Sequence, residues 1–511
     1  MQPTTLEGPA LRAGRRQWLG LAVLALPALL VALDIGALFL ALPHLSAELG
    51  ATGTQQLWIT DIYGFLLAGF LITMGDLGDR IGRRRLLLIG AAAFGVASVL
   101  AAYSTSPQML IGARALLGVA GATLGPSTLA LISNMFGDPR QRGLAISVWA
   151  ACQFGGAALG PVVGGLLLER FWWGAVFLLG VPFMVLLLIV GPRVLPEFRT
   201  PTAGRLDPVS VALSLAAILP AIYGTKELAV HGTQAVPVAA LLAGLAVGVV
   251  FLGRQLRLDS PLLDLRLFSR PTFSAALIAM TLGSAALAGA GLMTSQYLQS
   301  VIGLQPAQAG LWQAPTGLGI AAGVLLAPVV AQRVKPITAI GAGMVISTLG
   351  FLSLTQVGSS GGLVAVAFGI AVAAFGVGPM FVLGTSLVVG SAPPTKAGSA
   401  ASLSETSNVF GSTLGLAVLG SVGAAVYHHQ MAGSVTTSLP PEAAHAAGET
   451  IAGAVAAAGQ LPTGPAAELL QAARHAFTSG LNIAAAVGVI ITAALTLGLT
   501  AAFRRARLGG T

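Results

Sequence analysis

The sequence predicts an all-α, polytopic membrane protein with fourteen transmembrane helices, and three observations carry that prediction. Of 511 residues, 55% are hydrophobic and 8% charged, with a mean hydropathy of +0.86; soluble domains carry roughly 25% charged residues. A chain this long and this apolar cannot cover itself with polar surface in water, so lipid is its solvent. The apolar residues fall into fourteen runs, near 18–42, 54–74, 85–103, 108–133, 142–168, 172–195, 207–229, 235–253, 272–300, 308–331, 337–356, 362–390, 398–428 and 478–502. About 20 such residues cross the hydrocarbon core as a helix. With the N-terminus placed in the cytoplasm and the loops alternating, 22 of the 26 Lys and Arg fall inside and only Arg170, Lys226 and Arg474 outside. That is the positive-inside distribution.

The first run follows Arg12, Arg15 and Arg16 as a signal peptide would. It is longer than an h-region of roughly 7–15 residues, so it reads as an uncleaved first helix. The 67 Gly sit inside the apolar runs, where small residues let helices approach closely. The net charge of +9 marks the cytoplasmic face, not a nucleic-acid site. Cys152 is the one cysteine; it excludes an internal disulfide and reads as a small packing residue. Ahead of the seventh and eighth spans lies a Pro-rich linker, Leu195–Asp207. The outer segment 430–477 is Ala-rich, with Pro440, Pro441, Pro462 and Pro465 as breakers. Helical pieces near 442–459 and 465–476 fit it. A hairpin capping the outer mouth and a segment without fixed structure are both compatible with its length.

After the second span comes Gly75-Asp76-Leu77-Gly78-Asp79-Arg80-Ile81-Gly82-Arg83-Arg84-Arg85. Gly78 and Gly82 permit a tight reversal, and Asp79 can pair with an Arg, forming a latch that holds one face closed. The plain alternative is a solvated basic loop. In the fifth span Leu159-Gly160-Pro161-Val162-Val163-Gly164-Gly165 belongs to a Gly156, Gly160, Gly164 series on one helix face. That series serves static packing or a moving seam equally well.

Only Asp34, Asp61, Arg114 and Glu405 are ionisable and clearly within spans. Such residues are costly in lipid and are functional candidates by default. Counted from the outer ends, Asp34, Asp61 and Arg114 lie roughly 9–12 Å deep, so they can form one charge cluster for proton coupling. Asp61 could instead cap or hydrate at the interface, and Arg114 could simply neutralise an Asp. Glu405 could bond to Ser402 or Ser404, or face a cavity and bind cations. A cation pocket needs acids and aromatic walls. The acids are Asp34, Asp61 and Glu405; Trp58, Tyr63, Trp149, Tyr297, Trp312 and Phe381 are the candidate walls, each also a plain core or interfacial residue. Asp207, Lys226, Glu227 and Asp264 read as solvated span ends, and His428 and His429 as an interfacial pair. No metal-ligand spacing, P-loop or nucleophile–base arrangement is present in the sequence, so neither an enzyme nor ATP drive by this chain is expected.

The loop from Gly75 to Arg85 resembles the signature loop of the major facilitator superfamily. Gly160-Pro161…Gly164-Gly165 is similar to its antiporter motif. Arg114 with Gly118 and Gly121 resembles the R-x-x-x-G element of the fourth span. Leu33-Asp34…Ala41-Leu42-Pro43 resembles the first-span motif of the fourteen-helix drug:proton antiporters, with Gly36 where that motif has Thr. Gln55-Gln56-Leu57-Trp58-Ile59-Thr60-Asp61-Ile62-Tyr63 resembles the quaternary-ammonium and dye efflux pumps. The resemblance covers essentially the whole chain. It implies a six-helix bundle over 1–195, a linker with two inserted helices over 196–255, and a second six-helix bundle over 256–511, rocking around a central cavity. It further implies a monomeric inner-membrane exporter of lipophilic cations, without cofactor, driven by the proton gradient, with both termini cytoplasmic. Asp79, Arg80 and Arg83 with Gly75 and Gly82 would form the latch. The tenth span offers Gly317 and Gly319 and no acid, which predicts weaker handling of divalent than of monovalent cations. Export of one endogenous compound by the same machinery is the alternative, and uptake without proton coupling a third reading that the antiporter motifs oppose.

Overall fold

A computed structural model of the chain describes residues 13–51, 53–199, 207–231, 234–258, 261–359, 361–392, 397–432, 444, 447–448 and 450–508. Arg12, Arg205, Lys396, Pro440 and Pro441, and the surroundings of Gly36, Pro43, Pro161 and Lys226, lie outside the described residues.

Each predicted span is helical. The first bundle comprises α1 (Arg15–Leu49), α2 (Gly53–Ile81), α3 (Arg83–Ala102), α4 (Pro107–Met135), α5 (Pro139–Leu168) and α6 (Val181–Val194). The inserted pair is α7 (Pro208–His231) and α8 (Ala235–Gln255). The second bundle comprises α9 (Pro271–Gln296), α10 (Pro306–Ala331), α11 (Pro336–Leu354), α12 (Leu363–Ser391), α13 (Ala397–Met431) and α14 (Thr463–Leu508). Thirteen spans among the described residues are long and apolar enough to cross a bilayer. The fourteenth helix, α5, has 30 residues, about 45 Å of length, and packs among the others.

The boundaries follow local chemistry. The Ser106 hydroxyl accepts the Met109 N–H ahead of α4, and the Asp138 carboxylate accepts the Arg140 N–H ahead of α5. Both helices have Pro in the first turn, where its missing N–H costs nothing. The sixth predicted span, 172–195, is broken into a single turn, Ala175–Leu178, and α6. The ninth ends in a π turn, Tyr297–Val301.

In the first bundle α1 packs on α5, α2 on α4, and α3 on α4 and α6. In the second, α9 packs on α13, α12 on α10 and α11, and α14 on α11 and α13. The bundles meet where α5 faces α10, and where α2 and α4 face α13. The inserted pair α7–α8 packs on itself and lies along α2 and α13. At its base, Asp207 accepts from Arg254 Nε at 2.9 Å and from the Ser210 hydroxyl at 2.7 Å. Asp207 is therefore an ion-pairing helix cap, not a simply solvated end. The basic loops lie at one end of the helices, here called the basic face.

The segment 430–477 differs from its prediction. The piece near 442–459 is a shorter helix, Ile451–Ala458, capped by Thr450. The piece near 465–476 is not separate: it is the beginning of α14, which has 46 residues. Pro462 and Pro465 sit at the start of that helix, where Pro is tolerated, so they do not break it. Ile451, Ala454, Leu469 and Ala473 join Tyr297, Val357 and Tyr427 in one apolar cluster. Among the described residues the segment therefore caps the second bundle rather than the mouth between the bundles.

Candidate functional site

Arg114 of α4 is 1% exposed and forms the buried centre of the first bundle. Its Nη1 donates to Asp34 Oδ2 of α1 at 2.7 Å, and its Nε donates to the Ile59 carbonyl of α2 at 3.1 Å. The guanidinium lies 4.6 Å from the centre of the Tyr63 ring and 6.0 Å from that of Phe177. Ile59 and Tyr63, four apart, share one face of α2. Asp61 falls between them, about 200° around the helix, and accepts from the Thr60 hydroxyl at 3.1 Å. The expected three-residue cluster is thus a buried Asp34–Arg114 pair, with Asp61 on a different face.

A buried pair of opposite charges is held by geometry rather than by large net stability. Separating the helices that carry the partners would leave two buried charges unpaired, so the pair couples the positions of α1 and α4.

Glu405 lies on α13 and is 9% exposed. It meets the first bundle on two sides. The Gln153 side chain of α5 lies near its carboxylate, and Gly125 of α4 lies against its stem. The next residue of α5, Phe154, packs on Phe381 of α12 with ring centres 4.8 Å apart. Gln153 and Phe154 were not singled out from the sequence; an uncharged amide inside an apolar run was the signal available.

The remaining aromatic candidates separate by burial and bonding. Trp149 is buried and donates through Nε1 to the Thr128 hydroxyl at 3.1 Å, inside the first bundle. Tyr297 is buried and donates to the Gly358 carbonyl at 2.6 Å, inside the second. Tyr63 lies under Arg114. Trp58 and Trp312 are exposed. Phe381 reaches across to the other bundle, where it meets Phe154.

At the basic face Asp79 forms an ion pair with Arg83, and Asp76 pairs with Arg80 Nε at 2.6 Å. Gly75 is buried in the same turn of α2. Ser399 of α13 donates to Asp79 Oδ2 at 3.5 Å, bridging the two bundles. Gly82 has φ +115°, and a side chain there would meet the Glu197 carboxylate. That carboxylate accepts the N–H groups of Arg84 at 3.0 Å and Arg85 at 3.2 Å, capping α3 from the far side of the linker. Glu197 carries no local sequence signal for this role.

The glycine series joins α5 to α1. A Cβ on Gly156 would stand 3.0 Å from that of Ala32, and one on Gly164 would stand 2.8 Å from the Ala37 Cα. Gly160 is buried and Gly165 half-buried. The seam lies inside the first bundle; the opposite side of α5 meets α10.

Comparison with known proteins agrees with this architecture. The sequence model of the Major Facilitator Superfamily matches residues 24–416. The chain is 42% identical over 504 residues to the multidrug efflux pump LfrA of Mycolicibacterium smegmatis, covering 98% of this chain and all of that one. It is 35% identical to the methyl viologen resistance protein SmvA of Salmonella typhimurium, over 92% of this chain and 94% of that one. It is 30% identical to a tetracenomycin C resistance and export protein of Streptomyces glaucescens, over 96% of this chain and 93% of that one. The crystal structure of the human organic anion transporter MFSD10 has the same fold, with a TM-score of 0.61 at 16% identity, over 93% of this chain and 99% of that one.

Proposed function

This chain belongs to the Major Facilitator Superfamily, and from that premise we propose that it is a proton-coupled antiporter exporting lipophilic cationic drugs, dyes and antiseptics. It works by alternating access in the inner membrane of a bacterium, with the basic face and both termini in the cytoplasm. The observation that carries the proton coupling is the buried Asp34–Arg114 pair, whose partners sit on α1 and α4. A proton from outside competes with Arg114 for Asp34; the switch between open states then moves the site to the other side. The multidrug substrate class rests on likeness to LfrA along almost the whole chain. Asp79, Arg83 and Ser399 hold the cytoplasmic side closed in the arrangement described.

The test is ethidium efflux from cells expressing wild type or Asp34→Asn, with and without a protonophore. Export by wild type, abolished by either the substitution or the protonophore, supports the reading. Export persisting in a normally expressed Asp34→Asn protein would move coupling to another carboxylate. A second reading, export of one endogenous compound, draws on the tetracenomycin C export protein. A panel of unrelated cations separates the two.

A further inference from the structure

The end of α6 at the basic face gathers more positive charge than a helix end needs. The last carbonyls of a helix have no partner within it. Arg84 of α3 donates through Nη1 to the Leu195 carbonyl at 3.0 Å and the Pro192 carbonyl at 3.3 Å. Arg16 of α1 donates through Nη2 to the Arg193 carbonyl at 3.0 Å. The Arg193 side chain turns back to the Ile189 carbonyl at 2.7 Å. Three guanidinium groups from three helices thus meet within roughly two turns of one helix end. That end carries about half a negative charge. Glu197 supplies one more, its carboxylate 3.6 Å from Arg84 Nε, and no other carboxylate pairs with the three arginines among the described residues. A surplus of about one and a half positive charges remains, and Arg15 and Arg85, exposed beside Arg16 and Arg84, add to it.

The surroundings fit a lipid rather than a soluble anion. One turn deeper into the membrane, on the same face as each basic residue, stands an exposed apolar side chain: Leu19 after Arg16, Ile189 before Arg193, and Ile89 after Arg85. Trp18, whose ring packs on Phe136 with centres 5.2 Å apart, lies at this level, and Trp favours the depth of the lipid headgroups. Because α6 packs on both α1 and α3, the guanidinium groups stand above two helix junctions with apolar flanks. The planar guanidinium matches phosphate oxygens in a way that a point charge does not.

We propose that Arg16, Arg84 and Arg193 form a binding site for the phosphodiester headgroup of an anionic phospholipid, whose acyl chains lie along Leu19, Ile89 and Ile189. A zwitterionic headgroup brings its own cation and offsets the attraction, so the site selects anionic lipid. The bound lipid braces the corner from which the linker leaves α6. That linker carries Glu197, which accepts the Arg84 and Arg85 N–H groups, and Phe198, whose carbonyl accepts the Arg83 N–H at 3.0 Å. Neither the exported substrate nor the coupling step enters this inference.

The experiment is native mass spectrometry of the purified full-length protein in detergent, titrated with phosphatidylglycerol or phosphatidylcholine, beside thermal unfolding in the same mixtures. Wild type is expected to bind phosphatidylglycerol at least roughly tenfold more tightly than phosphatidylcholine, and to melt at a higher temperature with it. Arg16→Gln with Arg193→Gln is expected to lose roughly tenfold or more in affinity for phosphatidylglycerol. Arg257→Gln with Arg333→Gln removes the same charge elsewhere on that face and is expected to bind within about twofold of wild type. Equal losses in the two double variants would dissolve the site into the general charge of the face. Equal binding of both lipids by wild type would overturn recognition by charge. Stabilisation by inorganic phosphate that matches that by phosphatidylglycerol would reassign the arginines to a soluble anion and overturn the lipid site. Where the glutamine pair does not fold, Arg16→Lys with Arg193→Lys carries the test: it keeps the charge, loses the planar forks, and is expected to bind phosphatidylglycerol several-fold more weakly. Wild-type affinity in the lysine pair would overturn the assignment to guanidinium groups.

Discussion

Arg114 makes three different contacts with one planar group: an ion pair to Asp34, a hydrogen bond to the Ile59 carbonyl, and a stack on Tyr63. Lysine carries the same charge but has neither the fork nor the flat face. Arg114→Lys is therefore expected to lose at least one charged hydrogen bond, about 1.5–3 kcal/mol, and to lower the ethidium efflux rate at least roughly tenfold. Efflux at the wild-type rate would show that charge alone suffices. A second prediction at this scale concerns the substrate. With no acid in α10, resistance to a divalent bis-cation should fall short of resistance to a monovalent dye. The comparison is a demanding one, because a 35% identical relative is named for resistance to methyl viologen, a dication. Matched resistance to both compounds would sink it. The Asp34–Arg114 pairing was legible because charge in a span is rare and depth can be counted. The exclusion of Asp61 was not, since it depends on which face of α2 turns to α4. Gln153 stayed hidden because an uncharged amide stands out little among apolar residues until its partner on a distant helix is known.

Helix boundaries and helix pairs answer to different forces, and two contrasts test them. In α5, Gly164 faces the α1 backbone so closely that any side chain collides, whereas Gly155 has open space around it. Gly164→Leu is expected to destabilise by at least about 1–3 kcal/mol through overpacking. Gly155→Ala is expected to be neutral or to stabilise by a few tenths of a kcal/mol to about 1 kcal/mol. Thermal unfolding in detergent measures both, and similar effects at the two positions would contradict the seam. At the base of the inserted pair, the Arg254 and Ser210 hydrogen bonds hold the Asp207 carboxyl at about 2, below its ordinary 3.8. A depressed carboxylate stabilises the fold above the ordinary value, and that contribution is lost as pH falls from there toward about 2. The difference in melting temperature between wild type and Asp207→Asn should therefore stay constant from about pH 5 to pH 8. A difference that shrinks already by about pH 6 would show that the Asp207 carboxyl is not held below its ordinary value. The fourteen spans were readable from hydropathy because lipid enforces length. The limits of the 430–477 segment were not, because Ala, with high helix propensity, continues a helix as readily outside the membrane as inside it.

Across the whole molecule the two bundles touch at mid-depth through Gln153–Glu405 and Phe154–Phe381, and at the basic face through Asp79–Ser399. Gly143 of α5 also lies opposite Pro328 of α10 there, with 3.9 Å between its virtual Cβ and that of Pro328. That spacing suits a disulfide, whose Cβ atoms stand about 3.5–4.5 Å apart. In a Cys152→Ser background, Gly143→Cys with Pro328→Cys should cross-link on oxidation, stop ethidium efflux, and recover on reduction. Undiminished efflux by the oxidised protein would show that the basic face need not open. The division into bundles was legible from motifs whose order along the chain is fixed. The surfaces by which the bundles meet were not, since they join residues more than 180 positions apart. The long α14 adds a last consequence. Asn482 bonds to the Val357 carbonyl at the far end of α11, so the stretch back to Thr463 projects beyond that level by about 28 Å. It is braced against the second bundle and turns with it as a lever. A rotation on the order of 15° would sweep its tip through about 7 Å, so a spin label near Glu468 would work as a pointer, registering outside the membrane each reorientation that takes place within it.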